Sequence, residues 1–144
     1  YVRPDGYKRM LAKLEAVGAD LVVGRTLRFN SKNKKGWRTP KLELGGFFNK
    51  AKTMRWEQYP WLVYNGAPWN KLISVKYLRE NNIRFPEKLF YEDVGFCLEL
   101  FLNDPLMAVE PACIYKWRVR DGVGEKSVTQ QKGDWSNLAE RMQV

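Results

Sequence analysis

Two adjacent carboxylates, Glu92 and Asp93, stand where an aromatic pair (Phe90, Tyr91) meets a dense apolar run from Val94 to Leu102. A carboxylate placed there is fixed in direction by the helix that follows and partly desolvated by its neighbours, which suits a general base taking a proton from a hydroxyl group. The same place suits a helix cap, because aspartate is among the best N-cap residues and acidic groups complement the positive end of the helix dipole. Spacing alone leaves both roles open. A second stretch, Trp69-Asn70-Lys71, offers an indole face, an amide that donates and accepts, and a point charge. For Trp69, stacking against a ligand ring and packing in the core are both open. A third pair, Arg118 and Arg120, closes a strand-like run.

Composition removes several reaction classes. The chain has no histidine, which excludes serine-histidine and cysteine-histidine catalysis and any histidine-based zinc site. Cys97 and Cys113 are solitary, one in a helical pattern and one in a strand-like run, and are read as two buried thiols in a reducing compartment rather than a disulfide. Lysine and arginine outnumber aspartate and glutamate by 25 to 16, a net charge of +9, so the average field favours phosphates, polyanions and acidic membrane surfaces. The positive residues are dispersed and no block of five or more like charges appears, which argues against a nucleic-acid tail. No stretch reaches the ~20 apolar residues of a membrane span, and no signal peptide opens the chain.

The elements that would position these residues can be read from periodicity. Tyr7, Met10, Leu11, Leu14 and Val17 follow helical spacing, with Gly18 as the stop. Asp20 to Arg28 reads as a buried strand in which Gly24 marks close backbone approach. The polar, glycine-punctuated run from Asn30 to Arg38 reads as a hairpin tip, with Lys41 to Phe48 as its second strand. Lys52 to Val63 stays ambiguous between helix and loop. Asn65-Gly66 reads as a turn leading into Trp69 to Ile73, followed by a short helix from Val75 to Asn81. Glu92 to Leu102 is a helix, Met107 to Arg120 contains a strand, and a last helix begins at Trp135. Helix and strand alternate, which predicts an α/β domain spanning residues 1–144 as one unit.

Taken together, WNKLI (Trp69 to Ile73), YLRENNIRFPEKLFYEDVGFCLEL (Tyr77 to Leu100), YKWRVRDG (Tyr115 to Gly122) and SVTQ (Ser127 to Gln130) resemble the C-terminal part of the glycosyltransferase family 2 catalytic domain. The likeness is strongest to bacterial members that build cell-wall, teichoic-acid or capsular polymers. The opening YVRPDGYKRML is similar to the segment that follows that family's metal-binding DxD motif. Phe29 to Val63 carries little of the family pattern.

The resemblance implies a partial GT-A fold, a mixed sheet flanked by helices, with the nucleotide-binding half and its DxD motif outside this sequence. It implies an inverting transfer from a nucleotide-sugar to a cell-envelope polysaccharide or polyol-phosphate acceptor, at the cytoplasmic side and in contact with the membrane periphery. Asp93 matches the base that deprotonates the acceptor, and Glu92 matches its neighbour toward the donor sugar. Trp69, Asn70 and Lys71 match an element lining the acceptor side. Arg118 and Arg120 match a region facing the donor diphosphate, where guanidinium binds oxygens in bidentate fashion, although a solvated strand end accounts for them equally. A divalent metal, magnesium or manganese, is expected in the full-length protein with no ligands in this chain. The separated piece is expected to be inactive and to leave one sheet edge or face uncovered. Two other readings stand beside this one: a non-catalytic binding module for an anionic polymer, and an assembly module on the same framework. No recognised nucleic-acid motif supports an RNA or DNA partner.

Overall fold

The computed structural model describes residues 1–38, 46–87 and 91–120. Its first element is helix α1 (Gly6–Val17), which ends where Gly18 takes a left-handed conformation (φ 62°) and its N–H returns to the Leu14 carbonyl. A residue with a side chain is strained in that region, so a glycine there fixes the stop.

Strand β1 (Leu21–Phe29) follows and is the hub of the sheet. Along its whole length it pairs in parallel with β5 (Met107–Arg118). Its other edge is divided between two short antiparallel partners. β4 (Lys71–Ile73) pairs with Leu21 to Val23, and β2 (Trp37–Arg38) pairs with Leu27 and Arg28. β3 (Thr53–Met54) pairs with the start of β5. The sheet is therefore mixed. Among the described residues β4 has β1 as its one strand partner. The N-terminal residues run along the upper part of β5, with Val2 bridged to Tyr115 and Lys116 N–H donating to the Tyr1 carbonyl at 2.8 Å.

Alternation along the two central strands divides the core between two layers, because successive strand side chains point to opposite faces. Leu21 and Val23 of β1, with Met107 and Val109 of β5, face a large cluster with Leu100, Phe101, Phe96 and Cys97. Val22 and Ala108 face a smaller one, with Met10 of α1 and Ile114. Helices thus cover both faces of the sheet, as an α/β arrangement requires.

The regular pairing of β1 with β5 breaks between Gly24 and Thr26, where register shifts oppose Arg25 to Cys113 and Thr26 to Tyr115. Pro111 lies in the extra stretch on β5, where its missing N–H costs the ladder nothing. Gly24 is needed at this point. A Cβ there would stand 2.3 Å from Cγ1 of the fully buried Ile114. Glu110 ties the bulge to α1, accepting from Arg9 at 3.1 Å and from the Ala112 N–H at 2.9 Å, with Lys13 at 3.5 Å. Burial pushes the Glu110 carboxyl up, but the Ala112 N–H, Arg9 and Lys13 outweigh it and hold the group below the usual glutamate range.

Two expectations are corrected. A returning strand, Trp37–Arg38, lies within the run read as the hairpin tip, and of the predicted strand Lys41 to Phe48 the residues Gly46 to Phe48 form a turn, with Phe47 and Phe48 buried, while 41–45 lie outside the described residues. Cys113 is only half-buried, whereas Cys97 is buried as expected; both are free thiols. The ambiguous stretch from Lys52 to Val63 resolves into β3 and two 3₁₀ turns, Trp56–Gln58 and Pro60–Tyr64. The predicted terminal helix from Trp135 and the SVTQ segment lie outside the described residues.

Candidate active site

The site is organised around helix α3 (Glu92–Leu102), which presents Phe96, Cys97, Leu100 and Phe101 to the core. Phe96 stacks on Phe85 with ring centroids 3.8 Å apart, and Phe101 stacks on Trp56 at 5.2 Å. A short helix α2 (Val75–Glu80), capped by Ser74, locks α3 from the side, since the buried Tyr77 hydroxyl donates to the Leu100 carbonyl at 2.8 Å. These contacts fix where the first turn of α3 points.

Glu92 and Asp93 are the first two residues of that helix, and the N-cap is Tyr91, with no side-chain cap. The capping alternative for Asp93 therefore does not hold. Tyr91 has φ 67° and ψ 25°, the left-handed region, which is a strained conformation for a bulky residue and clusters at functional sites. Glu92 is exposed, whereas Asp93 is half-buried. Burial raises the Asp93 carboxyl above the ordinary aspartate value, and the neighbouring Glu92 charge adds to the rise. The N–H groups of Val94 and of Asp93 itself, and then Lys71, act in the opposite direction. The result is a carboxylate oriented by the free donors of a helix start and more basic than usual, which are the two properties a general base requires.

The WNK element is folded inward. Pro68–Asn70 is a single 3₁₀ turn that leads into β4. Asn70 is fully buried and its amide nitrogen donates to the Gly24 carbonyl at 3.1 Å. Lys71 is 5% exposed. Its ammonium reaches the carbonyls of Asn65 at 2.6 Å and Ala67 at 2.5 Å, and the side-chain oxygens of Asn65 and Asn70, both at 3.3 Å. It also lies 5.6 Å from the centroid of the Phe101 ring. Burial pulls the Lys71 ammonium down to about 8, against the opposing pull of Cys97 and Asp93. Asn70 and Lys71, which the resemblance sets on the acceptor side, are thus turned inward in the structure. Both are internal, and contact with a ligand would require them to give up these partners.

Trp69 is half-buried and packed. Its ring stacks on Tyr115 at 4.4 Å and meets Trp117 at 5.7 Å, and Tyr7 donates to its carbonyl at 2.8 Å. Arg28 lies over the Trp117 ring at 4.6 Å, extending the row. Arg118 ends β5 opposite Phe29, and Arg120 follows two residues on; both are exposed. The structure therefore gathers Asp93, Asn70 and Lys71 beside α3, sets Trp69 in an aromatic row on β5, and leaves the two arginines toward the far end of that strand.

Sequence reasoning missed two members of this constellation. Cys97 follows Asp93 by one helical turn, so its place on the same face was visible in the spacing. Asn65, read as a turn residue, is buried and supplies two of the oxygens around Lys71, with its amide nitrogen lacking a partner among the described residues. No group of three or more cysteine or carboxylate side chains that could hold a metal ion forms among the described residues. Nor, among those residues, is any helix long and apolar enough to cross a membrane.

This mixed sheet, with helices on both faces and a carboxylate pair opening α3, is part of a glycosyltransferase fold of the GT-A kind. The structure of S. aureus TarS 1-349 in complex with UDP-GlcNAc matches it with a TM-score of 0.65 at 21% identity, covering 89% of this chain and 36% of that one. S. aureus TarS 1-349 alone matches with a TM-score of 0.63 at 20% identity, covering 81% of this chain and 33% of that one. In sequence, the chain is 28% identical over 131 residues to the succinoglycan biosynthesis protein ExoO of Rhizobium meliloti (strain 1021), covering 84% of this chain and 36% of ExoO. No family model matches. The chain thus spans 33% to 36% of the length of these relatives.

Proposed function

We propose that this chain is the acceptor-side part of an inverting glycosyltransferase that moves a sugar from a nucleotide-sugar onto a cell-envelope polysaccharide or polyol-phosphate acceptor. The observation that carries the reading is the state of Asp93: half-buried, raised in pKa, and oriented by amide donors at the start of α3. In the proposed reaction Asp93 takes the proton of an acceptor hydroxyl. The oxygen attacks the anomeric carbon from the face opposite the leaving group, and the nucleoside diphosphate departs with its bonding pair. Glu92 is exposed beside Asp93 and is assigned to orient the sugar. Arg118 and Arg120 are assigned to the diphosphate, for which their permanent charge and planar fork are suited. Trp69, packed on Tyr115, is assigned to shape the acceptor wall.

UDP-GlcNAc in the TarS complex and succinoglycan in the name of ExoO support a nucleotide-sugar donor and a polysaccharide product. A divalent metal belongs to the proposal only for the full-length protein, and no step above runs through one. We assign the reaction to the cytoplasm, at the membrane periphery; the two free thiols favour a reducing compartment.

The test is the stereochemistry of transfer. The full-length protein is incubated with a panel of α-linked nucleotide-sugars and envelope polysaccharide acceptors, and the new linkage is read by proton NMR. A β-linked product is expected. An α-linked product from the same donor would exclude single displacement with Asp93 as base.

A further inference from the structure

The structure carries a buried cation that the proposed reaction does not use. Lys71 projects from the start of β4 beneath the inner stripe of α3, formed by Asp93, Cys97 and Phe101 at successive turns. An ammonium has three protons. Two are committed at 2.5–2.6 Å to the carbonyls of Ala67 and Asn65, and two side-chain oxygens at 3.3 Å compete for the third. The segment from Asn65 to Ala67 is thereby fastened against the helix start, where Gly66 packs on Val94: a Cβ at Gly66 would lie 3.4 Å from the Val94 side chain. A lysine is rarely buried in this way without a task, because removing an ammonium from water is costly and its partners here are neutral oxygens.

We propose that Lys71 is a positioning residue for Asp93, holding the Asn65 to Ala67 segment against the first turn of α3 and placing a positive charge beneath the Asp93 carboxylate. The inference rests on the reading of Asp93 as general base. Asp93 is burdened by burial and by the Glu92 charge beside it; the Val94 and Asp93 N–H groups act against that rise, and Lys71 is the one side chain that acts with them. The groups that face Lys71 are the Cys97 thiol and Asp93 carboxylate from α3, the Asn65 and Ala67 carbonyls, and the Asn65 and Asn70 amide oxygens. Burial raises the Cys97 pKa, so at neutral pH the thiol brings no competing negative charge.

The experiment follows the Asp93 carboxyl by carbon-13 NMR titration in the full-length protein and in its Lys71→Met variant, with the pH profile of kcat/KM measured alongside. Loss of the cation is expected to raise the Asp93 midpoint above that of the parent. The acidic limb of the rate profile is expected to move with it. A merely structural lysine would lower stability and leave both midpoints in place, and that result overturns the proposal. Should Lys71→Met not fold, the wild-type titration decides. The Asp93 resonance is expected to show a second inflection near pH 8 as Lys71 loses its proton, and a flat trace from pH 7 to 10 overturns the proposal. A shifted midpoint in a protein that transfers no sugar would uphold the Lys71 coupling and reject the glycosyltransferase reading instead.

Discussion

The bulge at Gly24 predicts a destabilisation that can be made and partly unmade. In Gly24→Ala the new methyl carbon would be placed 2.3 Å from Cγ1 of Ile114 and 3.2 Å from its Cδ1 and Cγ2. Carbon atoms in comfortable contact are about 3.5–4.0 Å apart, so one group must move by more than an ångström. Ile114 is fully buried and packs against α1 and Val22, which leaves it little room. Overpacking of this kind costs about 1–3 kcal/mol. Ile114→Ala alone should cost about 2–5 kcal/mol through the cavity it leaves. In the double variant the added methyl occupies part of that cavity, so the combined loss should fall short of the sum by about 1–2 kcal/mol. Urea unfolding followed by circular dichroism gives all three values from the midpoints, provided the slope is unchanged. The Gly24 carbonyl also accepts from Asn70, so Gly24→Ala should disturb the WNK turn as well. An additive pair, or a Gly24→Ala variant as stable as the parent, would refute the close approach.

Two further outcomes are expected. The cost of burying the Lys71 ammonium, pulled from 10.5 to about 8, is fully present below pH 8 and is relieved as pH rises toward 10.5, a gain of at most about 3 kcal/mol. Burial raises the Tyr77 phenol, so stability is lost again above pH 10, where the unfolded chain releases a proton the folded one retains; urea midpoints should rise from pH 8 to 10 and then fall, and a steady decline from pH 7 would contradict this. In the full-length protein, Arg120→Ala should reduce kcat/KM for transfer more than Arg120→Lys, which keeps charge but loses the planar fork; equal, near-parental rates for both would leave Arg120 as surface.

Much of the scaffold was legible because its signals are local. The spacing of Tyr7 to Val17 with Gly18 behind it gives α1, and the apolar density after Glu92 gives α3 from its first residue. Strands β1 and β5 show as apolar runs because both faces of the sheet are covered. What escaped depends on distant contacts. Trp37–Arg38 is a strand only because β1 offers an edge there. Tyr91 as a left-handed N-cap contradicts a local preference for aspartate.

Lys71 was read as a point charge lining the acceptor side, and its burial was not foreseen, since lysines seldom lie inside. Its burial follows from oxygens contributed by Asn65, Ala67 and Asn70 and from a helix that begins 21 residues later, at Glu92. The carboxylate pair and its partial desolvation at a helix start could be read from sequence, but the buried Lys71 beside it could not.

That environment makes Asp93→Asn the most direct measurement. Asparagine keeps the size of the side chain, and because Tyr91 rather than Asp93 is the N-cap, no cap is lost. The amide cannot take the acceptor's proton, so sugar transfer by the full-length protein should fall by about 10²- to 10⁴-fold, or roughly 3–5 kcal/mol of transition-state stabilisation. Donor affinity, measured by calorimetry, and the circular dichroism spectrum should stay as in the parent. A folded, donor-binding Asp93→Asn protein that transfers sugar at the parental rate would contradict the assignment of Asp93 as the base.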